Sequence, residues 1–449
     1  MTGERDLREY LKGTPNKGLF SATLGFFIGF AAVALFGPTA KQFQDVMSLS
    51  PVMLGFLVAI PTLSGSLLRI PFGAWADTSG GRRPFLILLI LAFAGMATLF
   101  EVVTWLYPDR ITAAHYPLLL LLGVLCGCGI ATFSVGIGQV SYWFPQRKQG
   151  TALGLYGGIG NIAPGLFSMM LPLALGGWGL QGAYLVWLIL LGAGIIIYFI
   201  TGQDAYYFQC IRIGQSPAKA KDLANKAGQE FCPYGNAMQS LGLAARNWKT
   251  WVLVSIYFTS FGGFIALTAW LPTYWGSFFG LRIAIAGILT AAFSLLASII
   301  RVGGGSLSDR LGGERTAVLS LSTLLVGSII MTFSHSFGIS VAGEIIMAGG
   351  MGVANAAVFK LVPQEVREAV GGAAGWVGGI GAFGGFVIPP LMGFFVSLQG
   401  NDGYANGFAI FIALSVISIV LAYVLQRVSV VGKLRVPSPA VTTPEKQRG

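Results

Sequence analysis

Residues 66–83, which read SLLRIPFGAWADTSGGRR, have a counterpart at residues 298–315, which read SIIRVGGGSLSDRLGGER. Six residues match at one constant offset of about half the chain: Arg69 with Arg301, Gly73 with Gly305, Asp77 with Asp309, Gly80 with Gly312, Gly81 with Gly313, and Arg83 with Arg315. A second pair of matching stretches is GLYGGIGN from Gly154 and GWVGGIGA from Gly375. The matches predict two related halves that carry equivalent segments in the same order.

The repeats lie in a strongly apolar chain. Of the 449 residues, 54% are hydrophobic and only 10% are charged, whereas about a quarter of the residues of a soluble protein are charged. A membrane-spanning helix needs about 20 apolar residues. Twelve segments meet this requirement: 18–40, 52–76, 84–106, 116–141, 150–173, 182–203, 250–275, 283–305, 315–338, 339–362, 370–397 and 404–428. We therefore predict an all-α integral membrane protein of twelve transmembrane helices in two pseudo-symmetric six-helix halves.

The polar stretches divide the chain further. The predicted parts are a cytoplasmic N-tail (1–17), an N-terminal bundle (18–203), a cytoplasmic linker (204–249), a C-terminal bundle (250–428) and a cytoplasmic C-tail (429–449). The N-tail lacks an apolar core before a cleavage site, so we expect no removable signal peptide.

Basic residues fix the expected orientation. With the N-terminus inside, the inner tails and loops hold 23 of the 28 Lys and Arg residues, and the outer loops hold three. Cytoplasmic loops are enriched in Lys and Arg, so both termini are expected in the cytoplasm of a multi-pass protein of the cytoplasmic (inner) membrane. The net charge of +11 is spread over these loops. It predicts contact with the lipid bilayer and no nucleic-acid partner.

The remaining two basic residues, Arg69 and Arg301, lie inside apolar segments. Each precedes its loop Asp by eight residues, which is about 12 Å along a helix. A charge that deep in a membrane is costly and marks a functional site by default. Two symmetry-related guanidinium groups without an acidic partner at their depth predict a small planar anion, such as a carboxylate, nitrate or nitrite.

An empty site with two arginines is electrostatically unfavourable, so exchange of one anion for another is expected over net uptake. Proton coupling is the alternative. It needs a titratable group in the spans, and Glu344 is the one candidate that we retain.

Two parallel six-helix repeats with a site between them are the plan of the major facilitator superfamily. In that superfamily, a Gly–Asp–Gly–Arg motif at the cytoplasmic end of helix 2 helps to latch the halves. The sequence resembles this motif twice, and the resemblance implies a cytoplasmic gate formed by Gly73, Asp77, Arg83, Gly305, Asp309 and Arg315.

The paired glycine stretches, SGSLLRIPFG, SIIRVGGGSLSDRLGG and VREAVGG together resemble the nitrate/nitrite porter family of that superfamily. The resemblance implies that Arg69 and Arg301 clamp the anion and that Asn161 lies close to it. It implies three aromatic neighbours: Tyr257, Phe261 and Phe133. Its glycine signature helices match Gly154, Gly157, Gly158, Gly160, Gly375, Gly378, Gly379 and Gly381.

We therefore predict a secondary active transporter of nitrate and nitrite that works by alternating access, with exchange preferred. The alternatives are a proton-coupled nitrate symporter and a major facilitator carrier of another small anion, such as a carboxylate. No nucleophile–base pair, phosphate-binding loop or metal-ligand cluster is apparent in the sequence, so we expect no enzyme activity, no cofactor and no metal. We expect the protein to function as a monomer.

Overall fold

The computed structural model describes residues 11–31, 36–230, 237–366 and 369–435. The first ten residues of the N-tail and residues 436–449 of the C-tail lie outside this part. Within the described ranges every regular element is a helix. The longer helices are α1 (Pro15–Ala31), α2 (Phe36–Met47), α3 (Pro51–Leu67), α4 (Arg69–Ser79), α5 (Arg82–Leu106), α6 (Tyr116–Trp143), α7 (Gln146–Thr201), α8 (Tyr206–Arg212), α9 (Pro217–Lys226), α10 (Ala237–Arg246), α11 (Trp248–Tyr257), α12 (Gly263–Phe278), α13 (Ile283–Leu311), α14 (Gly313–Phe333), α15 (Phe337–Glu365), α16 (Val370–Ala382), α17 (Gly384–Gln399), α18 (Gly403–Asn406) and α19 (Ala409–Arg435).

Ten helical stretches of the described residues are long and apolar enough to cross a membrane. One of them, Ala152–Thr201, contains two of the predicted spans, 150–173 and 182–203. The first predicted span, 18–40, is divided between α1 and α2 by residues 32–35, which lie outside the described part. Twelve spans therefore fit this set of helices.

The fifth and sixth spans are joined without a loop. Their helices meet at Gly179, whose backbone angles of φ 65° and ψ −172° are not helical. A side chain would disfavour this conformation, so glycine permits the abrupt turn. The sequence instead predicted a connection of several residues at this place.

Three other spans are interrupted near their centres. The second span breaks at Leu68, between α3 and α4, and the eleventh breaks at Phe383, between α16 and α17. The seventh contains a π-helical turn at Phe258–Gly262. Such turns are rare and occur frequently at functional sites. The sequence patterns predicted the spans but none of these interruptions.

The two halves contact each other through α3 against α17 and through α7 against α13. At the predicted outer end the backbones lie very close, because a Cβ added to Gly393 would lie 2.3 Å from the carbonyl oxygen of Pro51. Lys41 Nζ also donates to Ser277 Oγ across the halves at 3.2 Å. Towards the predicted cytoplasmic end, Gly154 and Gly305 have no such neighbour within 4 Å. The halves are therefore packed most closely on the predicted outer side of the centre.

The linker is held by both halves. Asp204 accepts from the main-chain N–H of Arg82 at 2.8 Å and pairs with Arg212. On the other half, the main-chain N–H of Gly372 donates to Ser240 Oγ at 3.0 Å, and the Trp376 indole donates to the Leu241 carbonyl at 3.0 Å. The first part of the linker thus docks on the N-terminal half and α10 docks on the C-terminal half.

Candidate anion-binding site

Arg69 is buried at the interruption of the second span, with 1% of its surface exposed. Its Nε donates to the Gly65 carbonyl at 3.0 Å. In a regular α-helix, the main-chain N–H of Arg69 would donate to this same carbonyl. Its Nη1 donates to the Gly378 carbonyl of the other half at 3.0 Å. Arg69 is therefore fixed by backbone oxygens on both halves, and only Nη2 has no hydrogen-bond partner.

Phe261 lies between the two arginines. The Arg69 Cζ atom is 5.4 Å from the centre of its ring, and the Arg301 Cζ atom is 5.5 Å from the same centre. Phe133 belongs to the same half as Arg69, and the centre of its ring is 4.8 Å from the Arg69 Cζ atom. Guanidinium groups at these distances interact favourably with aromatic faces. The structure thus brings the two predicted arginines to one aromatic centre.

The π-helical turn positions the aromatic residues of the seventh span. Tyr257 precedes the turn and stacks on Phe261, with ring centres 4.8 Å apart and an interplanar angle of 13°. Ser260 and Thr259 donate their hydroxyls to main-chain carbonyls one turn earlier, which competes with regular helical bonding. The local distortion therefore presents both rings towards the arginines.

Four buried side chains at this centre have polar atoms without a hydrogen-bond partner. They are Arg69 (Nη2), Asn161 (Nδ2 and Oδ1), Tyr257 (the hydroxyl) and Asn355 (Oδ1). An unsatisfied buried polar group costs about 1–3 kcal/mol. An anion bound among them would accept from the unpartnered N–H and O–H groups, whereas the two amide Oδ1 atoms need a donor that an anion does not supply.

A cavity connects several of these groups. Its lining combines polar and apolar side chains: Asn161, Phe261, Phe264, Ala297, Ser298, Arg301 and Asn355. Phe359 lies one helical turn beyond Asn355, with its ring 5.9 Å from the Arg301 Cζ atom and 5.1 Å from the Tyr257 ring. Asn355, Phe359 and Ser298 were not predicted from the sequence. For Asn355, a carboxamide near the middle of the tenth span was the available signal.

The glycine signature helices border this site. A Cβ on Gly160 would lie 2.0 Å from the Phe26 ring, and one on Gly381 would lie 2.7 Å from the Tyr257 ring. Gly379 faces Ile70 of the other half, and Gly158 faces Val302. Gly157 lies near the Phe133 ring, and Gly375 lies near Leu241 of the linker. Within the signatures, tight packing therefore concentrates at Gly160, Gly379 and Gly381.

The residues of the predicted gate motif lie at the ends of the second and eighth spans that are predicted to face the cytoplasm. Arg83 and Arg315 are exposed, and no ion pair joins either of them to the other half among the described residues. The side chains of Asp77 and Asp309 lie outside the described part. Gly73 packs near Ser134 of its own half, and a Cβ on Gly305 would meet nothing within 4 Å. The latching role of the motif stays a prediction.

Neither arginine has a carboxylate partner within 4 Å among the residues that the structure describes. Glu344 is buried near the start of α15, where it accepts from the Trp275 indole at 3.4 Å. No group of three or more His, Cys, Asp or Glu side chains suited to a metal ion occurs in the described ranges. The centre therefore carries two positive charges that an anion would balance.

Comparisons with known proteins give the family and the fold of the chain. A family model described as the Major Facilitator Superfamily matches residues 22–369 and 278–447. The chain is 31% identical over 410 residues to the "Probable nitrate/nitrite antiporter NarK1" of Thermus thermophilus, with 84% of each chain covered. The chain belongs to the nitrate/nitrite porter family of the major facilitator superfamily. It is also 29% identical to the "Nitrite extrusion protein" of Bacillus subtilis (strain 168), with 89% of this chain and 91% of that protein covered.

Solved structures share the fold of this porter. The xylose transporter XylE from E. coli, in a partially occluded inward-open conformation, matches with a TM-score of 0.68 at 14% identity, over 91% of this chain and 97% of that one. The human organic anion transporter MFSD10 matches with a TM-score of 0.61 at 15% identity, over 92% and 100% of the two chains. The predicted family and the twelve-helix, two-half fold are confirmed, and the protein is a multi-pass membrane transporter.

Proposed function

We propose that this porter carries nitrate and nitrite across the cytoplasmic membrane by alternating access, as an exchanger. The observation that carries the proposal is the pair of guanidinium groups, Arg69 and Arg301, on one aromatic ring without a carboxylate within 4 Å. Permanently charged, planar donors of this kind match planar oxyanions. The names of the relatives support nitrate and nitrite as the substrates.

The aromatic rings favour a flat inorganic ion over a carboxylate with a carbon chain. Phe133 and Phe261 lie nearly parallel, with ring centres 6.4 Å apart and an interplanar angle of 27°. Such rings offer flat apolar walls and exclude water from a bound ion. We assign Asn161 to the anion as well, because its amide is buried beside Arg301 with no hydrogen-bond partner.

Exchange follows from the charge of the empty centre. Arg69 is buried and Arg301 is half-buried. Two such cations without a counter-ion resist further desolvation, so reorientation is easier when an anion neutralises them. We propose that the bundles 18–203 and 250–428 move against each other around this centre and that the linker 204–249 joins them. The motif residues Gly73, Asp77, Arg83, Gly305, Asp309 and Arg315 would then close the cytoplasmic side.

The proposal predicts nitrate uptake only against a counter-anion. The purified porter would be placed in proteoliposomes that are loaded with nitrite or are free of exchangeable anion, and uptake of isotope-labelled nitrate would be measured. We expect nitrite loading to raise the uptake at least about tenfold, because an empty carrier reorients slowly. Vesicles loaded with formate or acetate test the carboxylate alternative, which equal stimulation by these ions would favour.

Uptake into anion-free vesicles that follows an imposed pH gradient would instead indicate proton symport. Glu344 would then be the first residue to replace, because it is buried and has no cationic partner within 4 Å among the described residues. For an exchanger, Glu344→Gln is expected to leave the response to a pH gradient unchanged.

The proposed orientation predicts opposite labelling of two loops. In a variant without native cysteines, Arg110→Cys should react with a membrane-impermeant maleimide from outside intact cells, and Lys219→Cys only in inverted vesicles. Both positions are exposed, and the charge distribution places the first outside and the second inside. Labelling of both from one side would overturn the proposed topology.

A further inference from the structure

The hydrogen-bond donors at the anion site are limited. Arg69 uses Nε and Nη1 for the carbonyls of Gly65 and Gly378, so Nη2 is the nitrogen that remains for a ligand. Ser298 Oγ is engaged with the carbonyls of Ser294 and Asn161, at 2.8 and 3.3 Å. The groups still able to donate at the site are therefore Arg69 Nη2, the Tyr257 hydroxyl, the Arg301 guanidinium and the two carboxamides of the cavity lining, Asn161 and Asn355.

Asn355 is one of these two carboxamides. It lies on α15, is 3% exposed, lines the same cavity as Arg301 and Asn161, and has an Oδ1 atom without a partner. Phe359, one turn further along the same helix, packs on Arg301 and Tyr257. This face of the helix is thus directed at the site, and the Asn355 amide has no other role among the described contacts.

Nitrate and nitrite differ in what they require from such a site. Nitrate has three oxygens in a plane, whereas nitrite has two oxygens and a nitrogen lone pair. A guanidinium fork can donate to the two oxygens that both anions have. The third oxygen of nitrate is a further acceptor, and the Asn355 amide lines the same cavity as Arg301. A carboxamide can direct its oxygen to a guanidinium and its N–H to an anion at the same time.

We propose that Asn355 is a specificity-determining residue that donates its amide N–H to the third oxygen of nitrate, an atom that nitrite lacks. The inference rests on the proposed function and refines it. Asn161 belongs to the N-terminal half and Asn355 to the C-terminal half, so each half contributes one arginine and one carboxamide to the anion. The ratio of the affinities for nitrate and nitrite then depends on α15 and not on the glycine signatures alone.

The test replaces Asn355 with Leu, which is of similar size and has no polar atoms, and with Ala. Self-exchange is measured in proteoliposomes for nitrate and for nitrite separately. A lost hydrogen bond to a charged group predicts an apparent affinity for nitrate that is about tenfold weaker or more, and a change of less than about threefold for nitrite. Ser415→Ala is the matched control, because it removes a buried hydroxyl without a partner that lies outside the cavity lining.

A second readout does not depend on transport. Bound anion raises the melting temperature of the detergent-solubilised protein. The Leu and Ala variants should need about ten times more nitrate for the same rise, and about the same amount of nitrite as the wild-type protein. Equal losses for both anions, or no loss for either, would overturn the role of Asn355. If the wild-type protein exchanges no nitrate, the proposed function itself fails, and this outcome is distinct from an unchanged ratio in an active protein.

Discussion

Lysine in place of either Arg69 or Arg301 is expected to lower nitrate exchange by about 100-fold or more, although the positive charge is kept. At position 69, an ammonium group cannot bridge the carbonyls of Gly65 and Gly378 and still present a nitrogen to the anion. At position 301, the planar fork above Phe261 and Phe359 is lost. The measurement is nitrate–nitrite exchange in proteoliposomes with equal amounts of each variant.

The control for this prediction is Arg110→Lys, which changes an exposed arginine in an outer loop. Its exchange rate should match that of the wild-type protein. Lysine variants that retain more than about a third of the wild-type rate would mean that charge alone suffices and that the fork geometry carries little of the binding energy. Loss at Arg301 with retention at Arg69 would assign Arg69 to the contact between the halves instead.

The arginine pair could be found from the sequence because internal symmetry made it conspicuous. A single arginine in an apolar span can reach the membrane surface or a backbone carbonyl, and Arg69 does bind two carbonyls. The match of Arg69 with Arg301 indicated a shared role. The twelve spans could also be predicted from the sequence, since each is a long apolar run between basic or polar loops.

The local distortions of the helices could not be predicted from the sequence in the same way. At the interruption at Leu68, the Arg69 side chain donates to the Gly65 carbonyl, and at the turn Phe258–Gly262 two hydroxyls donate to main-chain carbonyls. Both depend on three-dimensional contacts that hydropathy does not record. Tyr257, Phe261 and Phe133 were identified through the family resemblance alone. Asn355 was missed because one Asn in a span is as readily explained by a bond between helices.

A methyl group at Gly160 is expected to lower nitrate exchange, although Gly160 is not a proposed ligand of the anion. The added Cβ would lie 2.0 Å from a carbon of the Phe26 ring. That ring is fully buried and packs on Phe133 and Tyr156, with centres 5.2 and 5.5 Å away. Overpacking of this kind costs about 1–3 kcal/mol and displaces neighbours. Phe133, which lies against Arg69, would move with Phe26.

We therefore expect Gly160→Ala to lower the melting temperature by about 3 °C or more and nitrate exchange by about tenfold. Gly176→Ala is the control on the same helix, since a Cβ there meets nothing within 4 Å and alanine favours helix by about 0.5–1 kcal/mol. Full activity of Gly160→Ala would contradict this packing. Phe26→Leu gives the new methyl group a smaller neighbour, so the double variant should recover part of the nitrate exchange. Such recovery is expected because the defect comes from the clash and not from the loss of glycine flexibility.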